Sequence, residues 1–179
     1  MSSLSARRPE KNEYAEHFER YIQWISDTDV LATLERQRQS TAELLEGLSE
    51  EQGTYRYASG KWSVKDLIGH VIDTERVFSY RAMRFARNDA TALPGFDQDA
   101  YSAHANYASL PLKDIAGEFD TVRRSTLYLF RHLSPDAWDR RGVSNKNELS
   151  VRAAAFVIAG HAQHHVEILK SKYLRQSEG

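Results

Sequence analysis

The chain has 179 residues, with 24 Lys and Arg against 25 Asp and Glu, a formal net charge of −1, and no cysteine. This balance excludes a nucleic-acid binder held by a basic surface and a polybasic membrane anchor. The absence of thiols excludes disulfides, thiolate metal sites and a cysteine nucleophile. Hydrophobic residues make up 41%, the N-terminus lacks an apolar signal core, and no window nears the ~18 apolar residues of a membrane helix. The expectation is a soluble, cytoplasmic, single domain.

Helical periodicity dominates, with only four prolines and nine glycines. Residues 1–12 are polar and charged and read as a flexible tail, leaving 13–179 as one domain. Residues 13–27 suit a short helix with Phe18, Tyr21, Ile22 and Ile25 on one side. A first long helix over 29–48 has Leu31, Leu34, Leu45 and Leu48 as its inward stripe, interrupted by Gln37, Arg38 and Thr41. Buried polar groups need partners, so this interruption turns to solvent, as polar residues usually do, or faces a polar cavity. A second helix starts at Ser63, with Asp66 at N3 and Trp62 and Leu67 as a hydrophobic staple, and runs to about Asn88.

The connection over 89–110 contains Pro94-Gly95, Phe96, Asp97, Asp99 and Tyr101. Structureless stretches of this length are uncommon and often line function. It is long enough to cross a bundle, which permits the second and third helices to run parallel. The third helix begins near Pro111 and presents Leu112, Ile115, Phe119, Val122, Leu129 and Leu133 before Ser134-Pro135 ends it. A second connection over 135–149 has Trp138 as its anchor, and Ser150 caps a fourth helix to Tyr173. Four long amphipathic helices predict an all-α four-helix bundle with a long connection between helices 2 and 3.

Among seven histidines, His161 and His165 fall on one helix face. Chance alone gives about 0.3 such pairs in a chain of this composition, so their position matters more than their spacing. They continue the seam of Val151, Ala154, Ile158 and Ile168. Two buried imidazoles need partners for four ring nitrogens. A metal ion satisfies one on each ring and an outer acceptor the other, which favours a metal over structural histidines. His70, on the seam of Leu67, Thr74 and Val77, supplies a third nitrogen and leaves a position for water or substrate. Ala162 follows His161, so the zinc-protease His-Glu-x-x-His motif is absent, as are the paired Glu-x-x-His motifs of di-iron bundles.

Asp73 and Glu75 are candidates to orient an imidazole or, for Glu75, to close the coordination sphere; Glu167 reads as a surface carboxylate. Gln37 and Thr41 are pocket candidates. Arg81, Arg84 and Arg87 form a row that could hold a carboxylate-bearing substrate, although such rows are more often solvated. Asp97, Asp99 and Tyr101 either close over the metal or cap turns.

The stretch WSVKDLIGHVIDTE (62–75) resembles the second-helix motif of the DinB/YfiT-like superfamily, and AGHAQHH (159–165) resembles its fourth-helix motif. PGFDQDAY (94–101) is similar to a loop in one branch of that group. The resemblance spans about residues 30–174. It implies a four-helix bundle, often homodimeric, with a divalent metal on His70, His161 and His165; no role transfers to His164. Zn²⁺ and Ni²⁺ are the expected ions, though imidazole also suits copper and iron. Members include metal-dependent hydrolases, thiol transferases and thiol-dependent isomerases. The expected function is therefore activation of water (hydrolase) or of a low-molecular-weight thiol cosubstrate (S-transferase) towards a small-molecule substrate. The alternative is a non-catalytic, metal-stapled bundle acting through dimerisation or a protein partner.

Overall fold

Ser63 Oγ accepts the Asp66 amide at 3.1 Å while Asp66 Oδ2 accepts the Ser63 amide at 3.0 Å. This reciprocal capping box starts the long helix at the residue its sequence predicts. The structure, a computed structural model, describes residues 7–174. Its helices are α1 (Glu19–Ile22), α2 (Val30–Glu46), α3 (Glu50–Thr54), α4 (Val64–Ala86), α5 (Gln98–His104), α6 (Leu112–Arg131) and α7 (Val151–Ile168). A π-helical turn, Leu169–Leu174, continues α7. The four long helices α2, α4, α6 and α7 form the bundle. No helix among the described residues is long and apolar enough to cross a membrane.

Side-chain pairs give the helix directions. Glu75 meets Arg123 and Ser79 meets Thr126, so α4 and α6 advance together. Arg38 reaches Asp120 while Leu34 O accepts from Arg123, so α2 and α6 run in opposite directions. His70 faces His161, and Trp62, ahead of α4, accepts from Tyr173 beyond the end of α7, so these two helices also oppose. The bundle is thus up-down-down-up, and the connection between α4 and α6 spans its height. That connection is more ordered than a structureless stretch: it contains α5, capped by Asp97 Oδ1 on the amides of Asp99 and Ala100.

A small hairpin lies between α6 and α7, within the predicted second connection. Strands β1 (Arg141–Ser144) and β2 (Asn147–Ser150) are antiparallel. Asn145 and Lys146 have φ of 49° and 66°, as a two-residue turn with both central residues left-handed requires. Leu93 is pinned to the hairpin by its amide on Val143 O and its carbonyl on the Asn145 amide.

Two expectations need correction, and a third, left open between solvent and a polar interior, is resolved. Residues 7–12 of the predicted tail lie against the body: Arg7 ion-pairs with Glu13 and Asp139, and Asn12 O accepts from Arg141; residues 1–6 lie outside the described residues. The predicted helix over 13–27 is a 3₁₀ turn followed by the single turn α1, with Ile22 and Ile25 buried. The interruption in α2 faces inward: Gln37 and Thr41 are both buried. Gln37 Nε2 donates to Ala159 O at 2.9 Å and its Oε1 accepts from Arg123 at 3.2 Å, so desolvation is compensated. The α6 stripe is rotated to suit: Arg123 is fully buried, while Val122, Leu129 and Leu133 are only partly covered.

Candidate metal centre

Two glycines let the rest of the fold close on the histidine-bearing helices. A Cβ on Gly69 would sit 2.2 Å from the Tyr107 ring, and one on Gly160 would sit 2.1 Å from Tyr21 O. Each therefore permits a contact that a larger residue forbids, and each immediately precedes a histidine of the cluster. His70 from α4 and His161 and His165 from α7 are all buried. One nitrogen from each lies within 4.8 Å of the others, the only such group of potential metal-binding side chains among the described residues.

His70 Nε2 and His161 Nε2 are 3.0 Å apart. Two nitrogens each about 2.0–2.1 Å from one zinc are separated by roughly 3 Å, so the closest pair already has the spacing of shared coordination. Burial pushes the His70 pKa down to about 4, opposed by the Asp99 carboxylate. Burial, then His70 and His164, push His165 down to about 3. Burial and the neighbouring His165 and His70 hold His161 well below the usual imidazole range. All three rings are neutral near pH 7 and offer lone pairs. His165 Nδ1 is buried without a hydrogen-bond partner. An orphaned buried nitrogen beside two further neutral imidazoles fits a divalent transition metal ion.

Aromatic walls flank the cluster. The Trp62 ring lies 4.8 Å from His70, and Tyr21 meets His161 edge-on at 5.1 Å. Two cavities open against it. One, about 290 Å³, is lined by His165, Trp62, Tyr173 and Asp99. The other, about 170 Å³, is lined by His161, Thr74, Arg81 and Phe96.

The remaining candidates divide sharply. Arg81 is buried in the cavity wall at His161. Glu75 is not available to an imidazole or a metal, because Arg123 engages both of its oxygens at 2.8–3.0 Å. Asp73 turns away as well: its Oδ1 accepts from Tyr107 at 3.2 Å, and burial raises its pKa. Gln37 and Thr41 hydrogen-bond none of the three rings; Gln37 instead braces the α7 backbone at Ala159. Tyr101 is 49% exposed and packs on Phe96 at 5.4 Å, away from the cluster. Of the predicted lid, only Asp99 faces it. Glu167 accepts from Gln163, as a surface carboxylate does. Sequence reasoning assigned no site role to Tyr21, Trp62 or Thr74. Thr74 had a signal, being one turn after His70 on the same seam.

A family model described as the DinB superfamily matches residues 33–169. A protein of Oceanobacillus iheyensis named "Putative metal-dependent hydrolase" is 23% identical over 142 residues, covering 78% of this chain and 81% of that protein. The solved structure of YfiT from Bacillus subtilis, described as "a probable metal-dependent hydrolase with an unusual four-helix bundle topology", superposes with a TM-score of 0.68. That match covers 97% of this chain and 98% of YfiT at 18% identity, a likeness of fold.

Proposed function

The chain belongs to the DinB superfamily, and on that basis we propose that it is a metal-dependent hydrolase acting on a small molecule, with His70, His161 and His165 as the metal ligands. The observation that carries this reading is the convergence of three buried donor nitrogens within 4.8 Å, with Glu75 withheld by Arg123. A structural zinc site normally has four protein ligands, whereas three leave a position for chemistry. The names given to the Oceanobacillus protein and to YfiT support hydrolysis.

Zinc or nickel is the ion we propose. When bound, it supplies Lewis-acid activation of water, or of a thiol brought by a cosubstrate. The chain contributes the rest. Three neutral rings hold the ion without protons to displace at pH 7. Trp62 and Tyr21 keep bulk water from two of the rings. Asp99 is the carboxylate lining the cavity at His165.

The test loads chelated protein with Zn²⁺ or Ni²⁺, measures bound metal by mass spectrometry, and screens esters and amides with and without added thiols. The expected result is about one ion per chain, lost in His161→Ala, with metal-dependent hydrolysis in thiol-free buffer. Failure to retain any divalent ion overturns the site. Turnover only with a thiol replaces hydrolysis by S-transfer, and a tightly held ion without turnover favours the metal-stapled bundle. Light scattering on the same samples tests the homodimer that the family resemblance implies.

A further inference from the structure

We propose that the cavity between Arg81 and His161 is a carboxylate-binding pocket, so that the substrate is a small molecule bearing one carboxylate on an apolar body. The assignment of this ligand as substrate rests on the metal-dependent reading above; the binding itself does not.

Arg81 is only 4% exposed and, among the described residues, has no ion-pair partner. Its Nη2 donates to Pro94 O at 3.1 Å, and the guanidinium lies 4.9 Å from the Phe78 ring centre and 5.8 Å from that of Phe96. The two other deeply buried arginines behave differently: Arg123 meets Glu75, and Arg152 meets Glu13 and Asp139. A buried cation without a counter-ion is costly, and a bound anion removes that cost. Thr74 Oγ1, in the same cavity wall, is also buried and without a hydrogen-bond partner. No Asp or Glu lines this cavity, so nothing there repels an anion. Phe18, Phe78 and Phe96 give the apolar surface. Two guanidiniums line the cavity, but only Arg81 is buried; Arg20 stands at the exposed edge and donates to Tyr21 Oη. One buried guanidinium and one buried hydroxyl suit a planar monoanion, whereas a dianionic phosphate calls for more positive charge at the buried end. His161 lies in the same wall, so a molecule held by Arg81 extends towards the histidine cluster.

The experiment titrates the full-length protein, metal-free and metal-loaded, with phenylacetate, phenylacetamide and phenyl phosphate by calorimetry. The expected result is phenylacetate binding about tenfold more tightly than its neutral amide, in both metal states. In Arg81→Gln that preference shrinks to about twofold or less. Thr74→Val, which removes an unpartnered hydroxyl without enlarging the site, keeps the fold and weakens phenylacetate about threefold or more. It decides the matter should Arg81→Gln fail to fold. Equal binding of amide and carboxylate, tighter binding of phenyl phosphate, or a preference unchanged in the folded variants overturns the proposal. Carboxylate preference in protein that retains no metal leaves the pocket standing and removes only the hydrolase reading.

Discussion

Arg123 donates to both carboxylate oxygens of Glu75, at 2.8 and 2.9 Å, in a pair whose side chains are 0% and 2% exposed. Arg123 also donates to Leu34 O and Gln37 Oε1, so the pair joins α2, α4 and α6. Removing one partner strands the other charge. Arg123→Met is expected to lower unfolding free energy by about 3–5 kcal/mol, read by urea denaturation. Neither residue touches an imidazole, so folded Arg123→Met protein retains its metal.

Metal loading is expected to stabilise the native protein through the three rings. At free metal 100 times the dissociation constant the gain is about 2.7 kcal/mol. Thermal melts with and without added Zn²⁺ check this. The wild type shifts upward, whereas His161→Ala and His165→Ala do not.

The approach of Tyr21 to α7 sets a steric test. Gly160→Ala places a methyl 2.1 Å from a backbone oxygen and is expected to destabilise by about 1–3 kcal/mol, with weaker metal retention because His161 is displaced. Gly117, in α6, has open space around it. Gly117→Ala is expected to stabilise by about 0.4–1 kcal/mol. Parallel denaturation curves distinguish the two.

Tyr173 provides an alkaline signature. Its hydroxyl donates to Trp62 O at 2.9 Å, and burial, followed by the nearby Tyr57, pushes its pKa up to about 12. Below pH 10 the phenol is protonated in both folded and unfolded chains, and its contribution is whole. Between pH 10 and 12 the unfolded chain loses the proton first, so stability falls as pH rises. Tyr14 and Tyr107 are also raised by burial, so absorbance titration is expected to show one late phenol fewer in Tyr173→Phe than in the wild type.

The bundle was legible because its helix starts are written locally. Ser63 with Asp66, and Ser150, mark caps that the structure reproduces. The histidine cluster was legible because helical spacing places His161 and His165 on one face, while His70 occupies a seam on another helix. The inward turn of Gln37 could not be separated from a solvated one: its partners, Arg123 and Ala159, lie 86 and 122 residues away. For the same reason Glu75 could not be separated from the candidate ligands, since only the fold brings Arg123 to it. Arg81 stood in a periodic row with Arg84 and Arg87, and only packing separates it: Arg81 is buried, Arg84 partly covered and Arg87 exposed.

The long chain segment between α4 and α6 exists because two parallel helices must be joined end to opposite end. On its way it contributes Pro94 and Phe96 beside Arg81 and Asp99 beside His165. The imidazoles, Thr74 and Arg81 all stand on the bundle helices, while the traverse supplies part of the wall around them. Grafting a different traverse onto the same scaffold offers a route to reshaping those walls while the histidines and Arg81 stay in place.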